Sequence, residues 1–227
     1  MLKKMEQLLK KQAWKQNLIE GYQNFRKGTF ETHRVRYERL GKNGQNPDVL
    51  VIACSDSRAS PSTVFNAYPG EIFVVRNVAN IVPPYETTEG VHGTSAALEY
   101  GVSVLGVDAI IVMGHENCGG IAAYLEADNG TVDSAVDSAV DGGFIRQWIN
   151  NLDDAIVRTF EDTDNVYRQM EFASVRMSLK NLMNYPFVRT AVEAGTLSLL
   201  GAYFSIINGR LLFADDDGEF IEVPDKE

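Results

Sequence analysis

Apolar residues follow two different periods along this chain. Short continuous apolar runs, typical of strands buried in a sheet, lie at residues 48–53, 71–76, 108–113, 197–207 and 211–213. Between these runs, apolar residues recur every three or four positions, which is the spacing of one face of a helix. Strands that alternate with helices in this way predict an α/β fold with a parallel sheet.

The helices are predicted from the same spacing and from local start signals. Helical periodicity or a start signal is found over 2–26, from Ser60-Pro61, over 94–105, after Gly119-Gly120, over 144–156 and over 165–183. Asn208-Gly209 is a strong hairpin signal, so the run that follows it is predicted to be antiparallel. The predicted fold is a single domain with a central, mostly parallel sheet of four strands, an antiparallel edge strand, helices on both faces and an N-terminal helical arm.

No low-complexity linker divides the chain, so residues 1–227 are predicted to form one domain. Two tandem copies of D-S-A-V within 132–141 indicate a local insertion rather than a repeat architecture. The arm, residues 1–30, is basic over its first 15 positions, which suits a membrane surface, a partner subunit or a solvated helix face. We expect it to pack on a partner subunit.

The charge of the chain narrows the choice of partners. A formal net charge of −10 and a pI of about 4.8 argue against nucleic acid, whose phosphates repel an acidic protein. The chain has no run of 18 apolar residues, so no membrane span is predicted. Its N-terminal stretch lacks the long apolar core of a secretory signal, which predicts a cytoplasmic protein with reduced thiols.

Candidate metal chemistry lies where two of the predicted strands end. Cys54 follows the run at 48–53, and His115 and Cys118 follow the run at 108–113 in the segment H-E-N-C. Ligands of parallel α/β sheets bind beyond the carboxyl ends of the strands, so these side chains are expected to meet at one edge. Two thiolates and an imidazole suit zinc, and three protein ligands favour a catalytic site with an open fourth position.

A carboxylate and a guanidinium stand next to the first cysteine, at Asp56 and Arg58. Such a pair keeps the carboxylate ionised and can form two parallel hydrogen bonds. Three roles are open: a structural salt bridge, a fourth metal ligand, or an acceptor for the proton of a zinc-bound hydroxide. The nearby metal-like cluster favours a role in catalysis.

Three segments together resemble β-class carbonic anhydrases of the plant-like branch. They are C-S-D-S-R at 54–58, R-N-V-A-N-I-V-P-P-Y at 76–85 and G-H-E-N-C-G-G at 114–120, and the resemblance extends over about 45–213. It implies an α/β enzyme that interconverts CO2 and bicarbonate at one Zn²⁺ per chain. It also implies active sites at dimer interfaces, hence a homodimer or a larger even-numbered homo-oligomer.

The resemblance assigns roles to individual residues. Cys54, His115 and Cys118 match the zinc ligands, and Asp56 and Arg58 match the catalytic dyad.

Five further residues match substrate-binding positions of the family: Gln45, Phe73, Val78, Tyr100 and the Gly119 amide. Among them, Tyr100 is expected to reach the site of the partner subunit.

Other functions stay open at this point. A CS2 or COS hydrolase on the same fold would use the same ligands, and a non-catalytic zinc-binding module would keep the metal alone. A nucleotide-binding domain is disfavoured because no G-x-G-x-x-G follows a strand and no P-loop lysine is present.

Regulation by pH is predicted from Val51. One branch of the family that this chain resembles closes its site at acid pH, and its members have a tryptophan three residues before the first cysteine, where this chain has Val51. Since Gln45 belongs to the other branch, Asp56 is expected to stay on Arg58 and leave the fourth zinc position exchangeable.

Overall fold

The computed structural model describes residues 2–87, 92–128, 143–155 and 165–226. They form two compact units, residues 1–45 and residues 46–227. The tandem D-S-A-V copies at 132–141 lie outside the described residues. Whether 1–227 behaves as one domain stays a prediction.

The first unit is helical, as the apolar spacing over 2–26 predicts. Its elements are α1 (Leu2–Lys27), α2 (Thr29–Thr32) and α3 (Arg34–Asn43). Phe25, Phe30 and Tyr37 pack ring against ring where α1 turns into α3, with centroids 5.2–6.1 Å apart. Farther along α1, Trp14 and Leu18 expose more than half of their surface. The packing of this arm on a partner subunit stays a prediction.

The second unit is built on a six-stranded sheet of order β2-β1-β3-β4-β5-β6. The strands are β1 (Val49–Cys54), β2 (Ile72–Asn77), β3 (Ala109–His115), β4 (Ser198–Ser205), β5 (Arg210–Ala214) and β6 (Phe220–Glu222). The pairs among β1 to β4 are parallel, whereas β5 and β6 pair antiparallel. The predicted mostly parallel α/β fold is thus confirmed.

One detail of the predicted sheet is wrong, because β5 is not its edge. The three-residue β6 pairs with β5 and takes the edge position instead. Sequence periodicity missed it because the strand is short and Ile221, its middle residue, is 58% exposed. A strand that buries so little apolar surface does not need a continuous apolar run, so the sequence pattern does not predict it.

Most helices of this unit follow the predicted segments with two local differences, whereas the helix at Pro186–Glu193 lies where no helix is predicted. The helices are α4 (Pro61–Val64), α5 (Gly93–Glu99), α6 (Gly119–Asp128), α7 (Phe144–Ile149), α8 (Val166–Leu182) and α9 (Pro186–Glu193). The helix predicted over 94–105 widens into a π-helical turn at Tyr100–Leu105, and Gly106 ends it at a φ of 67°. The helix predicted over 144–156 becomes a 3₁₀ turn at Asn150–Ala155.

Apolar side chains cover both faces of the sheet. Leu50 and Ile52 of β1 point to the face covered by α8, where they join the cluster that contains Val175. The alternate residues Val51 and Ala53 point to the opposite face, which carries the short α4. Burial on both faces explains why β1 reads as a continuous apolar run.

Two glycines let α8 lie unusually close to the sheet. A side-chain carbon at Gly114 of β3 would stand 2.8 Å from Val175 Cγ2, and one at Gly201 of β4 would stand 3.1 Å from Val175 Cγ1. Both approaches are shorter than ordinary van der Waals contact. The missing side chains therefore set the distance at which α8 packs, and with it the reach of α8 residues towards the ends of the strands.

Candidate metal centre

Three predicted ligands meet beyond the ends of β1 and β3. Cys54 is the last residue of β1, His115 is the last of β3, and Cys118 precedes α6. Their potential ligand atoms all lie within 4.8 Å of one another, and the two Sγ atoms are 4.0 Å apart. The side chains are buried, with 6%, 1% and 2% exposure respectively. The parallel pairing of β1 with β3 brings the two strand ends together, as the sequence predicts.

The donor set fits a zinc ion. His115 donates its Nδ1–H to the Glu116 carbonyl oxygen at 2.9 Å, which leaves the Nε2 lone pair free to bind a metal. Nε2 is buried and has no hydrogen-bond partner among the described residues, a rare condition for a buried polar atom. Two thiolates on one tetrahedral zinc lie about 3.8 Å apart, which matches the observed sulfur separation.

Electrostatics in the cluster also favour a cation. A hydrogen bond from the Cys118 thiol lowers the pKa of Cys54 well below its usual range. The same contact, together with burial, raises the pKa of Cys118. Burial lowers the pKa of His115, but the neighbouring Cys54 and the Glu116 carbonyl outweigh it and the net direction is upward. A buried thiolate that stabilises positive charge on its neighbour is a suitable ligand for a metal cation.

Asp56 lies beside the cluster and is held by Arg58. Arg58 donates from Nε to Oδ1 at 3.0 Å and from Nη2 to Oδ2 at 2.7 Å, and its backbone N–H also reaches Oδ1 at 2.9 Å. These hydrogen bonds hold the pKa of Asp56 well below its usual range. Asp56 Oδ2 lies 4.0 Å from His115 Nε2. The carboxylate is therefore ionised, oriented and next to the metal ligands.

Arginine side chains also fix the backbone around Asp56. Arg76 donates to the Cys54 carbonyl at 2.8 Å and to the Asp56 carbonyl at 2.6 Å. Arg58 Nη2 donates to the Asn117 carbonyl at 3.1 Å and so links the two loops of the site. The sequence does not predict this role for Arg76, although the residue stands at the end of the second apolar run.

Glu116 anchors the loop between His115 and Cys118. Its Oε2 accepts from the Ile207 backbone N–H at 3.0 Å and from the Ser205 hydroxyl at 2.9 Å. The Ile207 N–H is the main reason that the pKa of Glu116 is lowered. The contact ties the ligand loop to the β4–β5 hairpin, and no motif in the sequence points to it.

Two of the predicted substrate residues lie close to the ligands. Val78 follows β2 and packs against the buried cluster that contains Cys54 and Cys118. Gly119 is the exposed first residue of α6, directly after Cys118.

Phe73 and Tyr100 lie away from the ligands of this chain. Asn77 of β2 pairs with Cys54, and Phe73 lies four residues before Asn77 on the same strand. At the rise of an extended strand, Phe73 is therefore about 13 Å along β2 from the residue beside Cys54. Phe73 packs instead against Tyr100, with ring centroids 5.9 Å apart, and Tyr100 is 44% exposed. Gln45 is exposed and ends the first unit, so its place at the site stays a prediction.

Comparison with known proteins decides the family. A family model described as carbonic anhydrase matches residues 49–211. β-Carbonic anhydrase 3 of Arabidopsis thaliana is 36% identical over 199 residues, covering 86% of this chain and 74% of the relative. The chain belongs to the β-carbonic anhydrase family.

Solved structures of this family share the fold. The β-carbonic anhydrase CcaA superposes with a TM-score of 0.82 at 30% identity, covering 94% of each chain. A tetrameric β-carbonic anhydrase of Sordaria macrospora gives a TM-score of 0.67 at 29% identity, covering 90% of this chain and 95% of that one.

Family and site geometry together make this chain a zinc-dependent carbonic anhydrase, which hydrates CO2 reversibly to bicarbonate and a proton. The sulfur-compound hydrolase and the non-catalytic zinc module are not favoured. Across the described part of the chain, no helix combines the length and apolarity needed to cross a membrane. The cytoplasmic location stays a prediction.

Proposed function

We propose that CO2 hydration takes place beyond the ends of β1 and β3, with Cys54, His115 and Cys118 as zinc ligands and the Asp56–Arg58 pair as the catalytic dyad. The observation that carries the proposal is the two-bonded Arg58–Asp56 pair, whose Oδ2 lies 4.0 Å from the metal-facing His115 nitrogen. An ion pair with a purely structural role would not be expected beside three buried metal ligands.

The ligands and the dyad divide the chemistry. A zinc ion held by Cys54, His115 and Cys118 would lower the pKa of a water to about 7 and so make hydroxide, the nucleophile for CO2, available near neutral pH. Asp56, acting only as an acceptor in its ionised form, receives a hydrogen bond and so directs the nucleophile's lone pair towards the substrate carbon. Arg58 keeps the carboxylate ionised and fixes both of its oxygens.

The substrate pocket is proposed to combine residues of two chains. Val78 and the Gly119 amide lie next to the ligands of their own chain and would supply an apolar wall and a hydrogen-bond donor. Phe73 and the exposed Tyr100 lie away from these ligands, which supports a role at the site of a partner subunit. A homodimer or larger even-numbered homo-oligomer follows, with Gln45 as a further substrate contact.

The open arrangement of Asp56 supports the plant-like assignment. Val51 is fully buried in a cluster with Ala53 and Met113 and supplies no aromatic side chain at this position. We propose that Asp56 stays on Arg58 near neutral pH, because a ligand closes a site only when it binds the closed state better than the open one.

Stopped-flow CO2 hydration with metal analysis tests the function. We expect about one zinc per chain and a second-order rate well above background, in the usual enzyme range of about 10⁴–10⁸ M⁻¹s⁻¹. CS2 and COS are offered to the same preparation. Turnover of these compounds without CO2 hydration would favour the hydrolase, and stoichiometric zinc without any turnover would favour the non-catalytic module.

A further inference from the structure

A carboxylate is buried behind the ligand cluster. Glu171 of α8 is only 3% exposed, and carboxylates are seldom buried unless their oxygens are satisfied. Oε1 accepts from the Cys118 backbone N–H at 3.0 Å, and Oε2 accepts from the Tyr203 hydroxyl at 2.7 Å. One side chain therefore joins α8, β4 and the residue that precedes α6.

The packing of the sheet makes this contact possible. Gly114 has no side chain to hold α8 away, and the Glu171 carbonyl would lie 3.7 Å from a carbon added there. Tyr203 is the β4 neighbour of Gly114, so its hydroxyl rises beside the same gap. The rings of Phe172 and Tyr203 pack edge to face with their centroids 4.7 Å apart, and the Arg168 guanidinium lies 5.7 Å from the centroid of the Tyr203 ring. These contacts keep the Tyr203 phenol in place.

We propose that Glu171 is a positioning residue for the zinc ligand Cys118, with Tyr203 as its orienting partner. The inference rests on the proposed zinc site. Cys118 is the one ligand outside a strand, so its backbone is not fixed by sheet hydrogen bonds. The Glu171 oxygen satisfies its buried N–H and fixes the peptide that carries the thiolate. Partners of this kind commonly change metal affinity when removed.

A purely structural role would give a different pattern. In that case, loss of the Tyr203 hydroxyl would lower the stability of the fold as much as loss of the hydroxyl of any equally buried tyrosine. Zinc affinity would be unaffected. The chain offers such a control in Tyr185, which is 1% exposed and whose hydroxyl contacts Ser95 and the Pro83 carbonyl. Zinc affinity and the charge-transfer spectrum of the cobalt-substituted protein separate the two roles.

The experiment compares Glu171→Ala, Glu171→Gln, Tyr203→Phe and Tyr185→Phe with the wild-type chain by zinc competition against a chelator. Glu171→Ala is expected to weaken zinc binding about 10–100-fold and to shift the thiolate-to-cobalt bands. Glu171→Gln keeps one acceptor oxygen and should restore most of the affinity. Tyr203→Phe should weaken binding severalfold, whereas Tyr185→Phe should match the wild type in both readouts.

Two results would overturn the role of Glu171: a folded Glu171→Ala protein with wild-type affinity and spectrum, or Glu171→Gln binding no better than Glu171→Ala. If Glu171→Ala does not fold, the proposal is tested by comparing the zinc affinities of Tyr203→Phe and Tyr185→Phe. Equal affinities for these two variants would count against the proposal. A wild-type chain that binds no zinc would instead refute the proposed function.

Discussion

The two loops that meet at the zinc site are fixed by opposite kinds of side chain. Residues 54–58, after β1, are held by arginines: Arg58 grips the Asp56 carboxylate and Arg76 binds two backbone carbonyls. Residues 115–118, after β3, are held through carboxylates, since Glu116 reaches the β4–β5 hairpin and Glu171 accepts from Cys118.

The difference corresponds to the work of each loop. The second loop supplies two of the three ligands, and both are buried, with the His115 side chain at 0% exposure. The first loop carries the charged dyad, in which Asp56 is 18% and Arg58 is 48% exposed. We therefore expect residues 115–118 to contribute most to zinc retention and residues 54–58 to contribute most to the orientation of the reactants.

The largest effect is expected from Cys118→Ser. A hydroxyl is a far poorer zinc ligand than a thiolate, so both the metal and the activity should be lost. Metal analysis after dialysis, together with CO2 hydration, measures this. Full zinc retention in the folded variant would remove Cys118 from the ligand set.

Arg58→Lys tests the exposed loop without removing its charge. Lysine is a point charge that cannot grip both carboxylate oxygens, so Asp56 should lose its fixed orientation. We expect turnover to fall roughly ten- to a hundredfold with zinc content unchanged. Arg210→Lys, at an exposed pair with Glu222, is the matched control and should keep full activity. Equal rates in the two variants would contradict the role of Arg58.

The pH profile separates the dyad from the metal-bound water. Because Arg58 holds the pKa of Asp56 well below its usual range, the carboxylate is ionised throughout the neutral and mildly acid region. Its contribution to stability is complete above its unfolded pKa of about 3.9 and is lost only as the pH falls through the lower folded value. Activity should therefore decline at acid pH as a single-proton titration. A steep, cooperative decline would indicate closure of the site by Asp56.

Gly114→Ala is expected to have the smallest effect on chemistry and a clear one on stability. The added carbon would meet Val175 at 2.8 Å, an overpacked contact that costs about 1–3 kcal/mol. Thermal unfolding should show a Tm lowered by about 2–4 °C per kcal/mol. Gly41→Ala, where nothing lies within 4 Å of the added carbon, is the control and should not lose stability. A Tm equal to that of the control would mean that α8 adjusts freely.

Sequence patterns predict the parts of this molecule that bury continuous apolar surface. The runs that became β1 and β3 place Cys54 and His115 at strand ends, and the parallel fold then brings them together. The edge strand β6 escapes because it buries little, and the π-helical turn at Tyr100–Leu105 escapes because apolar spacing does not distinguish helix types.

The supporting contacts of the site could not be predicted in the same way. Glu171 looks like any polar residue of a helix until the packing distance of α8 is known, and Arg76 looks like the end of a strand. Both act on backbone groups, which carry no sequence signature. Side chains that bind the metal have a characteristic chemistry, whereas side chains that hold those ligands in place do not.

The central claim is that the two loops have different roles, one in zinc retention and one in the orientation of the reactants. Turnover per bound zinc in Asp56→Asn tests this claim most directly, because both quantities are measured in one sample. Asparagine keeps the size of the side chain but removes its charge and replaces one acceptor with a donor. The division of roles predicts about one zinc per chain, as in the wild type, with turnover reduced by about two orders of magnitude or more. Loss of zinc from the folded variant, or full turnover with zinc bound, would contradict it.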